Sequence, residues 1–153
     1  MNKAAKLLTG LLSATGTALL ISVTAIAGEP RDFIALTGDE IAFRGTPGIE
    51  GVTFAPIKGS SEEEGIYVMR ARFDSGVLSK AHHHDQDRHI TVVSGTWYFG
   101  ADASGTCDGA KPLPAGSFGF HPKGAVHYDG SCGEPAVVEI TGMGPVKNVW
   151  VTD

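Results

Sequence analysis

From Gly28 onward, glycine and proline interrupt this 153-residue chain at short intervals: all 8 prolines lie there, with every one of the 21 glycines except Gly10 and Gly16. Proline lacks a backbone donor and glycine loses the most chain entropy on ordering, so both mark the ends of regular elements more than their middles. Between the breaks lie β-branched and aromatic runs: Val52 to Ile57, Ile66 to Phe73, Ile90 to Val93, Thr96 to Phe99, Ala136 to Thr141 and Val146 to Val151. Several alternate with period two. In Ile66 to Phe73, residues Ile66, Val68 and Arg70 share one face, and Tyr67, Met69, Ala71 and Phe73 the other. No segment of this region sustains a capped 3.6-residue pattern, and no internal repeat or low-complexity tract occurs. The expectation is an all-β sandwich or barrel.

The first 27 residues read differently. Lys3 and Lys6 precede an apolar run from Leu7 to Val23, and Ala25-Ile26-Ala27 follows as a small-x-small site. That order predicts a cleaved secretory leader over 1–27, with an uncleaved anchor as the rival reading, and a periplasmic or secreted mature chain. Gly28, not cysteine, follows the site, which disfavours a lipid anchor. No later stretch is apolar enough to span a bilayer. Residues 28–50 read as an N-terminal arm with an edge strand or short helical turn around Gly38 to Phe43, and 51–153 as the β-domain. Losing the leader removes two lysines and no acid, taking the formal charge from −5 to −7. Such a balance opposes nucleic acid and anionic membrane surfaces, both of which need clustered Lys and Arg. Glu62-Glu63-Glu64 reads as an exposed loop. Cys107 and Cys132 would lie in an oxidising compartment, where an even count favours a disulfide worth about 3–4 kcal/mol for a loop of this length. Metal ligation by these thiols is the rival reading, and neither has a Cys or His partner at finger spacing.

Chemistry concentrates in two segments. The first is Gly76 to His89, containing His82-His83-His84; the second is Gly116 to His127, containing His121-Pro122-Lys123-Gly124. On a strand, His82 and His84 point one way and His83 the other. Asp85 to Arg88 reads as a polar turn, after which His89 heads a strand that can return to the same cavity. Pro122 and Gly124 supply a second turn, and His127 arrives from another hairpin. His82, His84, His89 and His127 are therefore candidate ligands of one metal ion. Imidazole suits Zn, Cu, Fe and Ni. His121 reads as structural, with a place behind the ligands or at the cavity mouth as the rival reading; Asp85 and Asp87 read as solvated turn residues, with acceptance of a ligand imidazole's second N–H as the rival; Phe118 and Phe120 read as packing. Tyr98 and Tyr128 are candidates for hydrogen bonds to a substrate. No His-Glu-x-x-His is present, which sets aside zinc-protease chemistry.

These spacings resemble the cupin superfamily. Its first motif reads Gly, five residues, His-x-His, three or four residues, Glu, about six residues, Gly. Gly76, His82, His84 and Gly95 fit it. Its second reads Gly, five residues, Pro-x-Gly, two residues, His, and Gly116, Pro122, Gly124 and His127 match it position for position. Read with a four-residue spacer, the Glu position falls on His89 and the gap to Gly95 is one residue short; the usual Asn after the last His is replaced by Ser131. The resemblance implies a double-stranded β-helix, or jelly-roll barrel, over most of the mature chain. It also implies one divalent transition metal, with Fe(II), Mn or Cu ahead of Zn or Ni, a small-molecule partner, and a homodimer through barrel edge strands. Two functions follow as expectations. One is a metal-dependent oxygenase of small organic molecules, with isomerisation or lysis as variants. The other is an exported protein that binds metal or a small ligand without turnover. The residues identify no general base.

Overall fold

A computed structural model describes residues 32–46 and 48–152; the leader read from the sequence lies outside them. Among the described residues the regular structure is strand, apart from one 3₁₀ turn at Gly38–Glu40. Glu40 closes that turn by accepting hydrogen bonds from the Thr37 backbone N–H and hydroxyl, at 2.7 and 2.9 Å. Residues from Ala35 to the C-terminus make one unit.

The strands are β1 (Arg44–Thr46), β2 (Ile49–Lys58), β3 (Gly65–Phe73), β4 (His82–His84), β5 (Arg88–Ser94), β6 (Thr96–Gly100), β7 (Lys111–Pro114), β8 (Phe118–His121), β9 (Tyr128–Gly130), β10 (Ala136–Gly144) and β11 (Asn148–Trp150). Six form one antiparallel sheet in the order β1-β2-β3-β10-β5-β8. The others form a three-stranded sheet, β7-β6-β9, and the pair β11-β4. This is the cupin jelly roll, all antiparallel, with non-consecutive strands paired across the barrel.

Alternation decides which side chains meet inside. On β3, Tyr67, Ala71 and Phe73 are buried while Ile66 and Arg72 are exposed. On β10, Ala136, Val138 and Ile140 face the same interior. β5 adds Ile90 and Val92, and Trp97 on β6 is fully enclosed. The outer face of the large sheet carries the molecule's ion pair among the described residues, Arg70 to Glu139 at 3.1 Å, between residues directly opposite in register.

Two short turns carry the chain from one sheet to the other. Gly95 separates β5 from β6 with φ +70°, and a side chain there would strike the Pro135 carbonyl oxygen. Only glycine meets both demands. Pro122-Lys123-Gly124 does the same between β8 and the His127 segment, with φ +77° at Gly124. Gly119 on β8 has a packing role: a Cβ there would lie 2.8 Å from the Trp97 ring.

Cys107 and Cys132 are joined by a disulfide. It ties the long loop between β6 and β7 to the turn that follows β9. Tyr128, buried beside it, donates to the Thr106 carbonyl at 2.8 Å and accepts from Ser104 Oγ at 3.0 Å. The Tyr128 hydroxyl thus pins the same loop and is spent on structure. Replacing both cysteines with serine should lower stability by about 3–4 kcal/mol, read as a lower midpoint in urea unfolding against the oxidised parent.

Candidate metal centre

The two histidine segments meet backbone to backbone. The His82 N–H donates to the His127 carbonyl at 2.8 Å and the His127 N–H donates to the His82 carbonyl at 2.9 Å. The Gly124 N–H donates to the His84 carbonyl at 2.8 Å. Two acids sew the surrounding loops: Asp87 Oδ1 accepts from the Lys123 N–H and Asp85 Oδ1 from the Lys147 N–H, each at 2.7 Å. The structure therefore uses Asp85 and Asp87 to hold turns together, not to orient imidazoles.

β4 presents His82 and His84 inward and His83 sideways, as its pleat requires. With His127 they form a buried group whose three ligand atoms lie within 4.8 Å of one another, a spacing that can hold one metal ion. Backbone carbonyls set two of the rings. His82 Nδ1 donates to the Lys80 carbonyl at 2.8 Å, and His127 Nδ1 to the Ala125 carbonyl at 2.9 Å. A carbonyl can only accept, so in both rings Nδ1 carries the proton and Nε2 keeps its lone pair. His127 Nε2 is buried with no hydrogen-bond partner among the described residues. A buried acceptor left without a partner costs free energy, and a cation would satisfy it. The donor set fits a transition metal.

His89 does not join this group. On β5 the inward residues are Arg88, Ile90 and Val92, so the pleat turns His89 to the outer face. There it lies exposed, its ring 6.1 Å from Phe118 and 5.1 Å from Phe120. Those two phenylalanines are themselves 61% and 43% exposed, not packed in the core. The difference is one residue of register. A three-residue spacer after His84 puts Arg88 where the motif has Glu and leaves six residues before Gly95. Arg88 Nη1 donates to His84 Nε2 at 3.0 Å.

Two further residues join the cavity. His121, read from the sequence as structural, is 3% exposed, directly across from Arg88 in register, and its ring centroid is 3.9 Å from that of His127. Phe99 and Trp97 back it at 5.1 and 5.7 Å. Neither of its ring nitrogens has a partner among the described residues. Asp129, two residues after His127 and so on the same face, lies within ligand reach of His121 and His127 and exchanges hydrogen bonds with Ser79. Asp129 is not among the candidates read from the sequence, although alternation through His127 could have found it; no local pattern singles out His121 as a cavity group.

Burial disfavours the charged form of His84, His121 and His127. It is the main cause that pushes His84 down to about 2, helped by the Arg88 charge and then by His82 and His127. His121 falls to about 2 for the same first reason, with His127 next. His127 is lowered too, chiefly by burial. Neutral imidazole is the form that binds metal. Below its ordinary 6.5 an unfolded histidine takes a proton that the folded ring refuses, so the contribution to stability is complete above 6.5 and is lost as pH falls toward about 2. The metal-free protein should therefore melt at a lower temperature at pH 5 than at pH 7.5, and replacing His121 with the non-titrating Gln should shrink that difference.

His82, His84, His121 and Arg88 line a cavity of about 330 Å³ inside the barrel, together with Asp129 and Glu62 and the apolar Phe54, Met69, Ile90, Val138 and Ile140. Trp150 from β11 closes one side, its ring 5.2 Å from that of His82. The family described as the ChrR Cupin-like domain matches residues 32–147. No curated protein matches the chain. Among solved structures, the polyketide cyclase RemF of Streptomyces resistomycificus is 14% identical, with a TM-score of 0.63 over 80% of this chain and 89% of its own. A sugar phosphate isomerase of the cupin superfamily from Silicibacter pomeroyi is 19% identical, with a TM-score of 0.60 over 78% of this chain and 82% of its own. A Ralstonia eutropha protein with a cupin-like fold is 22% identical, with a TM-score of 0.63 over 82% of this chain and 74% of its own. At these identities the likeness is one of fold.

Proposed function

The chain belongs to the ChrR cupin-like family, and from that premise we propose that it is a metal-dependent enzyme acting on a small organic molecule inside its barrel. His82, His84 and His127 would hold one divalent transition metal, which supplies Lewis acidity toward a substrate oxygen. The observation that carries this reading is the convergence of three buried imidazoles, two with Nδ1 fixed on a carbonyl, beside a largely apolar cavity that His82 and His84 line. The chain's own residues do the rest. The apolar walls exclude water and take the substrate's body. Asp129 supplies a carboxylate beside His127, the group placed to accept or deliver a proton, while His121 stays neutral next to it. The known structures of similar fold include a cyclase and an isomerase, which supports an enzymatic role without naming the reaction. The disulfide fits an exported chain in an oxidising compartment.

Oxygenation is the reaction we assign first, with isomerisation or lysis as the variants. A second reading, ligand binding without turnover, draws support from Arg88, which replaces the motif's carboxylate and donates to His84. Turnover of diketones or phenols separates them: oxygen uptake marks an oxygenase, product without oxygen uptake marks isomerisation or lysis, and no product with any of them favours binding.

The metal assignment is tested by the metal content of protein purified from its own compartment. His127→Ala should lower affinity by ~10-fold or more, since it removes a ligand nitrogen. His89→Ala should leave the metal content unchanged, because that ring lies on the opposite face of β5. Equal retention by His127→Ala and the parent would sink the ligand set.

A further inference from the structure

Arg88 is an unusual group to find at a metal centre. Its guanidinium lines the cavity, donates through Nη1 to His84 Nε2 at 3.0 Å, and has a buried Nε with no hydrogen-bond partner among the described residues. The ion pair found among the described residues does not involve it. Arginine stays charged throughout the physiological range and has no acceptor of its own. Two carboxylates line the same cavity, Glu62 and Asp129, and neither pairs with Arg88; Asp129 is held by Ser79 and groups with His121 and His127.

Metal binding would sharpen the imbalance. Arg88 can donate only into a lone pair, so the His84 ring presents its single lone pair at Nε2. An ion that takes His84 takes that lone pair, and Arg88 Nη1 then loses its acceptor while Nε already lacks one. The cavity would then hold a divalent cation and a guanidinium against the two carboxylates that line it, Asp129 and Glu62, which leaves one positive charge in excess. Buried cations without counter-charge are costly. An anion from outside the chain would supply the missing acceptor and offset the remaining charge.

We propose that the ligand of this site is a small organic carboxylate, with its carboxyl group held by Arg88 beside the metal and its apolar body lying along Ile90, Val138, Ile140, Met69 and Phe54. The proposal rests on the metal reading above and adds the substrate class. A carboxylate matches the two-pronged guanidinium fork. Ile90 lies two residues from Arg88 on the same face of β5, so the apolar floor begins next to the charged end. Arg88 is a binding and positioning residue in this account.

The test is calorimetric titration of the metal-loaded protein with 3-phenylpropanoate and with its neutral amide, with the metal content of each sample measured in parallel. The parent should bind the carboxylate ~10-fold or more tighter than the amide, as a charge-assisted hydrogen bond requires. Arg88→Gln should abolish the preference while retaining the metal. Arg88→Lys, which keeps the charge and loses the fork, should retain part of it and shows that a loss in Arg88→Gln is not a loss of folding. Equal binding of acid and amide by a metal-loaded parent overturns this proposal alone, as does an undiminished preference in Arg88→Gln. A parent that takes up no metal overturns the metal reading, and this proposal with it.

Discussion

The pair of backbone hydrogen bonds between His82 and His127 is the contact on which the rest of the site depends. It joins segments that are far apart in the chain and fixes their relative position to within a hydrogen bond's tolerance. The side chains follow from that registration, because each residue's Cβ direction is set once its backbone is paired. The chain changes sheet at the turn through Gly95, one strand beyond the first segment, and at the turn through Gly124, inside the second. The site therefore lies between the sheets as a consequence of topology, and its donors come from β4, β8 and the approach to β9.

The electrostatics of the site follow from the same enclosure. Burial disfavours protons on His84, His121 and His127, and carbonyl acceptors hold Nδ1 of His82 and His127, so Nε2 of those two rings is the atom left for a cation without any carboxylate to aim it. In this chain the acids of the first motif, Asp85 and Asp87, are used to fasten loops, and the position where the cupin motif places Glu carries a cation. The centre is thus more positive than a histidine-and-carboxylate set would be. That excess of positive charge, more than the fold, distinguishes this chain's chemistry.

Much of the architecture was legible in the sequence. The alternation in Ile66 to Phe73 appears in β3 with the predicted faces, and His82 and His84 point inward with His83 turned away. The placing of His89 shows where such reading reaches its limit. A strand's period is two, so one residue of slip exchanges its faces, and a flexible spacer in the motif left that slip undetermined. Counting back from Gly95 would have chosen Arg88. His121 was illegible for another reason: its role comes from lying across from Arg88 in the β5–β8 pairing, a contact no local pattern encodes. Phe118 and Phe120 share one face as read, yet they are not core packing: β8 is the edge of its sheet and their face is the outer one.

The covalent link between Cys107 and Cys132 reaches further than its place in the loops suggests. Cys132 follows β9 directly, and β9 leads back through Asp129 and Tyr128 to His127. The wall that carries one imidazole and the cavity's carboxylate is therefore moored by sulfur chemistry at its far end. Material prepared in a reducing cytoplasm would start with that mooring undone. Metal stoichiometry measured on such a preparation would report thiol status together with donor quality, and only oxidised protein separates the two.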